Sequence, residues 1–232
     1  MNPAALSIRL GSLFPPGTVA AELRGMGDSR LLLAAEAIHV GRAVPKRVQE
    51  FAAGRLCARR ALAEFGIVDF PLKMADDRQP VWPHTVVGSI THTAGFAAAV
   101  VAERRSAAAL GLDTEVVGEV HADLWPSICV PAETAWLEAL PEPERAAAAT
   151  LIFSAKEAFY KCQYPMVGER LNFQDVSVEA VGWGGSSGAF RIHAVRSIAA
   201  RACKALCVDG QYAYHDGLVT AGMGLAAAAD AL

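Results

Sequence analysis

Three apolar runs separated only by short turns constrain the fold of this chain more than any other feature. Val86-Val87-Gly88-Ser89-Ile90 and Phe96 to Ala102 flank a Thr91-His92-Thr93-Ala94-Gly95 bend, and Ala107 to Thr114 follows after a short gap. Such runs, divided by turn residues, read as a hairpin followed by a neighbouring strand. An antiparallel sheet packed on a helix is the economical outcome. Val48 to Phe65 supplies the helix: no Pro interrupts it, Gly66 stands at the stop position, and apolar residues recur at helical spacing. At about 100° per residue, Phe51, Arg55, Ala58, Leu62 and Phe65 share one stripe, and Arg47 projects onto it. An arginine therefore sits on the face that packs.

The second half repeats the theme. Pro131 to Leu140 and Glu144 to Tyr164 read as helices, the second ended by Pro165. Val176 to Val181 and Phe190 to Val195 flank Gly184-Gly185-Ser186-Ser187-Gly188, a hairpin signal, and Gly217 to Ala227 is a last strand. The expected fold is α/β, in the α+β sense: two similar lobes, each an antiparallel sheet packed with helices, with a cleft between them. A hydrophobic share of 53% against 19% charged over 232 residues supports a sizeable core and excludes disorder. Net charge is −3 with a pI near 6.1, which argues against a broad nucleic-acid surface. Cys57, Cys129, Cys162, Cys203 and Cys207 form no C-x-x-C pair and read as reduced core residues. With no basic leader and no window of about eighteen apolar residues, no membrane association is expected, and the expected location is the cytoplasm.

Several constellations carry chemistry. Asp113-Thr114-Glu115 ends an apolar run, so if the strand continues both carboxylates point to one face. Like charges side by side need a cation, and oxygen-only ligands suit Mg²⁺ better than Zn²⁺; the alternative is a solvated loop. In Ser154-Ala155-Lys156-Glu157-Ala158-Phe159-Tyr160-Lys161, Glu157 and Lys161 share a helical face, with Lys156 a quarter-turn round. The same residues fit a capping box and a surface ion pair, so the segment alone leaves both readings open. Thr91 and His92 can donate to phosphate oxygens from their turn, or be ordinary surface residues. Arg55, buried, needs an internal salt bridge, a reach to the rim that keeps its head group wet, or an anionic ligand, because an unpaired buried guanidinium is costly.

The order of these pieces is more specific than any one of them. An Arg-bearing helix, R-x-P-x-W-P, G-S-I-T-H-T, G-L-D-T-E and F-S-A-K-E-A-F-Y-K follow one another over residues 47 to 161. That series resembles the phosphopantetheinyl transferases, in particular the larger monomeric type of the siderophore and polyketide branch. The resemblance implies a pseudo-twofold monomer with an N-terminal lobe, residues 1–112, that binds coenzyme A through its helix and turn. The C-terminal lobe, residues 113–232, would carry the metal site and catalytic helix. It further implies that Asp113, Glu115 and Glu157 hold Mg²⁺, and that Thr91 and His92 meet the 3′-phosphate of coenzyme A. Lys156 and Lys161 would meet its pyrophosphate, and Arg47 and Arg55 correspond to basic nucleotide-binding positions. Lys73 and Arg78 are further candidates; the basic residue often found before the proline is here Gln79. Glu157 would be the base and Lys161 would stabilise the transition state. The implied reaction moves 4′-phosphopantetheine from coenzyme A to a serine of an apo acyl, peptidyl or aryl carrier domain, releasing 3′,5′-ADP. Two other readings use the same residues: a Mg²⁺-dependent phosphodiester hydrolase acting on coenzyme A or a related nucleotide, and a silent coenzyme A binding module.

Overall fold

A computed structural model describes residues 10–195 and 207–227. These residues form two compact units, the first of residues 10–110 and 224–227, the second of residues 111–195 and 207–223. Both sheets are accompanied by helices, so the chain is of the α/β class with antiparallel pairing, as expected. The two sheets are unequal, with three and five strands.

In the first unit, β1 (Val19–Arg24), α1 (Ala34–Ala37), α2 (Pro45–Ala63), β2 (Val86–Thr93) and β3 (Phe96–Glu103) precede the start of β4 (Ala107–Val116). The sheet order is β1-β3-β2, both pairs antiparallel. β2 runs to Thr93, further than its apolar run indicates, and Ala94-Gly95 alone make the turn, with Gly95 at φ 68°. Thr91 and His92 are thus strand residues, not turn residues. α2 starts at Pro45, whose fixed φ and missing N–H suit a first helical position. Its buried face is lined with small residues: Ala53, Cys57 and Ala58 pack against Leu72, Ala97, Ala99 and Ile90. Gly54 is needed there, since a Cβ would come within 2.8 Å of Ile90 Cγ2. Glu36, fully buried, ties the unit together: it accepts from Leu33 N at 2.9 Å and Leu72 N at 3.1 Å and pairs with Arg59 on α2.

The second unit holds the rest of β4, then α3 (Trp125–Ile128), α4 (Pro131–Ala139), α5 (Glu142–Val167), β5 (Val176–Val181), β6 (Ser187–Ala194), β7 (Cys207–His215) and most of β8 (Leu218–Ala226). The sheet order is β4-β8-β7-β6-β5. α5 does not stop before Pro165 but carries it inside its last turn and ends at Gly168, in the left-handed region at φ 67°. A proline there removes one hydrogen bond near an end where the ladder is running out anyway. β1 and β7 are not signalled by the sequence. β7 contains Gly210, ordinarily a strand breaker, because Phe190 lies over it: a Cβ would meet Phe190 Cζ at 2.1 Å. Cys57, Cys129 and Cys162 are buried and not in disulfides, Cys207 lies in β7, and Cys203 lies outside the described residues. Among the described residues no helix is long and apolar enough to cross a membrane.

Candidate active site

In the second unit the strand that bears Asp113 continues to Val116, so Asp113 and Glu115 do project to one face. α5 lies close against it because of Gly111. A Cβ at that position would meet the Ala158 carbonyl oxygen at 1.9 Å, so only glycine lets strand and helix approach this far. The approach brings the Lys161 ammonium to 2.6 Å from Asp113 Oδ1 and 3.3 Å from the Leu112 carbonyl. Two of its three protons are used, which leaves one for a ligand. Burial, then the repulsion of Asp113, pushes the Glu115 carboxyl up to about 8. Glu157 is also raised, first by burial and then by Asp113, although Lys161 opposes the shift. Asp113, Glu115, Glu157 and Lys161 thus form one electrostatic group.

The local alternatives for the helical segment do not survive this geometry. α5 begins at Glu142, so Ser154 and Glu157 stand mid-helix and form no capping box. Lys161 pairs with Asp113 and not with Glu157. Beside Glu157 a cleft of about 420 Å³ opens, lined also by Tyr160, Arg170, Asn172, Phe173 and Ser127.

Lys156 corrects the expectation of a pyrophosphate contact. Its side chain is 1% exposed, and its ammonium donates to Glu133 Oε2 at 2.7 Å, the Ile128 carbonyl at 2.8 Å and the Phe173 carbonyl at 2.9 Å. All three protons are committed. Glu133 is equally occupied, accepting from Val130 N at 2.8 Å and Val178 N at 2.7 Å. Sequence reasoning missed Glu133, whose only local signal is its place in the first turn of α4.

In the first unit the structure brings Arg47 and His92 together, with Arg47 Nη1 2.7 Å from His92 Nε2. Arg47 is half exposed at the start of α2, not buried with Arg55. Arg55 is buried: its Nε donates to the Leu72 carbonyl at 2.7 Å, its guanidinium lies 4.1 Å from the Phe51 ring centroid, and burial pushes it down to about 10. No carboxylate of a described residue forms a salt bridge with it, but Glu36 lies near enough to offset part of the effect of burial. Thr91 and His92, as neighbours on a strand, project from opposite faces. The face of His92 and Ile90 is the one α2 covers; Thr91 is buried on the other with Ser89. Their side chains therefore do not share a face of the sheet. Lys73 and Arg78 are exposed around a tight hairpin closed by Ala75 N to the Gln79 carbonyl, with Arg78 at φ 71°.

Comparison with known proteins decides the family. Residues 35–102 match the model of the 4′-phosphopantetheinyl transferase N-terminal domain, and residues 109–213 match that of the 4′-phosphopantetheinyl transferase superfamily. 4′-Phosphopantetheinyl transferase Npt of Nocardia iowensis is 32% identical over 167 residues, covering 72% of this chain and 74% of Npt. The chain belongs to the 4′-phosphopantetheinyl transferase superfamily. That superfamily uses coenzyme A as substrate and acts on carrier proteins. This superfamily member is also 41% identical over 152 residues to 4′-phosphopantetheinyl transferase Svp of Streptomyces mobaraensis, covering 64% of the chain and 61% of Svp. Enterobactin synthase component D of Salmonella typhimurium is 43% identical over 120 residues, covering 50% of the chain and 48% of that protein. The matched stretch therefore spans about 61% of Svp.

The donor set fits a hard divalent cation. Asp113, Glu115 and Glu157 offer oxygen only, which suits Mg²⁺. Asp113 Oδ2 is buried without a hydrogen-bond partner among the described residues, an acceptor with spare capacity. A cation among these carboxylates would relieve the repulsion that raises Glu115. The cage is not preassembled: among the described residues no three His, Cys, Asp or Glu side chains are gathered tightly enough to hold a metal as they stand.

Proposed function

We propose that this superfamily member transfers 4′-phosphopantetheine from coenzyme A to a serine of an apo carrier domain and releases 3′,5′-ADP. We further propose that it does so as a monomer in the cytoplasm, on carriers of siderophore, polyketide or nonribosomal peptide assembly. The observation that carries this reading is the group of Asp113, Glu115, Glu157 and Lys161, of which Glu157 lines an open cleft, in a chain of this family. In the proposed division of labour, residues 1–112 hold the nucleotide and residues 113–232 the reacting phosphates.

Arg47, His92 and the uncommitted part of the Arg55 guanidinium would meet the nucleotide phosphates, with Lys73, Arg78 and Thr91 as further candidates. Asp113, Glu115 and Glu157 would hold Mg²⁺, which when bound clamps the pyrophosphate and offsets negative charge on it. Glu157 takes the proton of the serine hydroxyl, directly or through a water. Its burial makes it a stronger base than a free carboxylate. The serine oxygen then forms a bond to the β-phosphorus, and the bond from that phosphorus to the bridging oxygen of 3′,5′-ADP breaks. Lys161, held by Asp113 and the Leu112 carbonyl, offers its remaining proton to the oxygen on which charge develops.

The test is to incubate the protein with Mg²⁺, coenzyme A and a panel of apo carrier proteins. The mass gain of phosphopantetheine on a carrier, with 3′,5′-ADP released, is the expected outcome. Consumption of coenzyme A with no carrier modified would sink the reading.

A further inference from the structure

Around the Arg47–His92 contact stands a carboxylate to which neither the family motifs nor the reaction gives a role. Glu50 is one turn along α2, its side chain 20% exposed. Its Oε2 lies 3.6 Å from Arg47 Nη1 and 3.9 Å from His92 Nδ1, and its Oε1 lies 4.0 Å from Lys46 Nζ. None of these is a hydrogen bond at such distances, and the Glu50 carboxylate makes no hydrogen bond to any described residue. A carboxylate that served to fix its neighbours would be bonded to them, as Glu36 and Glu133 are. Glu50 instead holds Lys46 and Arg47 in long ion pairs, with His92 at the same range. The first turn of α2 contains no acidic residue, so its positive end is otherwise uncompensated.

The tautomer of His92 sharpens the point. A guanidinium only donates, so the 2.7 Å contact makes His92 Nε2 an acceptor from Arg47, and the single ring proton stands on Nδ1, toward Glu50. Both Arg47 and His92 would have to reorient their donors for an incoming anion. The charges present are Lys46, Arg47 and Arg55, positive, against Glu50, negative. A doubly charged phosphate monoester brings more negative charge to this cluster than Glu50 supplies.

We propose that Glu50 is a built-in counter-anion, exchanged for the 3′-phosphate of the ligand. This rests on the reading that Arg47 and His92 bind that phosphate. The test measures binding of 3′,5′-ADP and of 5′-AMP, which lacks the 3′-phosphate, to wild type and to Glu50→Gln by calorimetry, with melting curves to show that both are folded. Glu50→Gln should bind 3′,5′-ADP about five- to tenfold more tightly at low salt, the scale of one unit charge at about 4 Å in water. Binding of 5′-AMP should not change, and the gain should shrink at about 1 M salt. If Glu50→Gln binds 3′,5′-ADP no more tightly while wild type still prefers it to 5′-AMP, Glu50 is a positioning residue and the counter-anion role is overturned alone. If wild type does not distinguish the two nucleotides, the 3′-phosphate reading is overturned, and the counter-anion role falls with it.

Discussion

Two lysines on one helix, Lys156 and Lys161, have the same chemistry and opposite surroundings. Lys156 lies under α4, its ammonium closed off by Glu133 and two carbonyls. Lys161 faces β4, paired with Asp113 at a rim where its side chain is still 29% exposed. The first region is a buried knot that joins α3, α4, α5, β5 and the short 3₁₀ turn Phe173–Asp175. The second is an under-satisfied group of carboxylates with an orphaned oxygen and a proton to spare. Satisfied polar networks make structure, and unsatisfied ones at a cleft are available for chemistry.

The sharpest way to break that contrast is to remove the anchor of the open region. Asp113→Ala should abolish carrier modification, because it removes a proposed metal ligand and the partner of Lys161 together. Excess chelator should do the same to wild type. Mass spectrometry of the carrier reads both, and undiminished turnover in chelator would undo the metal assignment. Next in size, Glu157→Gln should reduce transfer by at least about a hundredfold, the scale for losing a general base. Melting temperature should be nearly unchanged, since Glu157 caps nothing, while Mg²⁺ affinity should fall. Near-normal transfer rates would remove Glu157 from the mechanism.

Lys156→Met tests the closed region and should behave in the opposite sense. It leaves Glu133 buried with an uncompensated charge and should cost about 3–5 kcal/mol of stability in urea unfolding. Coenzyme A affinity of the folded fraction should be unchanged. Lost affinity with intact stability would restore Lys156 to the phosphates. The last expected effect is a pH slope. Glu115 ionises at about 8 in the folded chain against an ordinary 4.5, so the folded form holds the extra proton between those values. Without divalent cation, stability should therefore fall as pH rises from 4.5 to 8, and Glu115→Gln should flatten the slope. Added Mg²⁺ should flatten it too, by replacing the proton. A wild-type slope unaffected by either would mean that Glu115 is not part of the group.

What the sequence carried was local. The strand at Val176–Val181, the core of the Val86 to Glu103 hairpin, the body of α2 and the shared face of Asp113 and Glu115 all follow from periodicity and turn residues. The order of motifs along the chain was enough to indicate the family. β7 escaped because its Gly210 answers to Phe190, across the sheet, and the end of α5 was placed early because a proline near a helix terminus costs little.

The tertiary structure alone decided which charged groups meet. Lys156 finds Glu133 in another helix and Lys161 finds Asp113 in a strand, partners separated by 23 and 48 residues. Gly111 makes the second meeting possible by removing a Cβ from the path of Ala158. A helical repeat says which side chains share a face, but the identity of what covers that face is set by packing between distant segments. So Ser154 to Lys161 reads locally as a cap and a surface ion pair, and packing gives it one buried strut and one partly exposed edge.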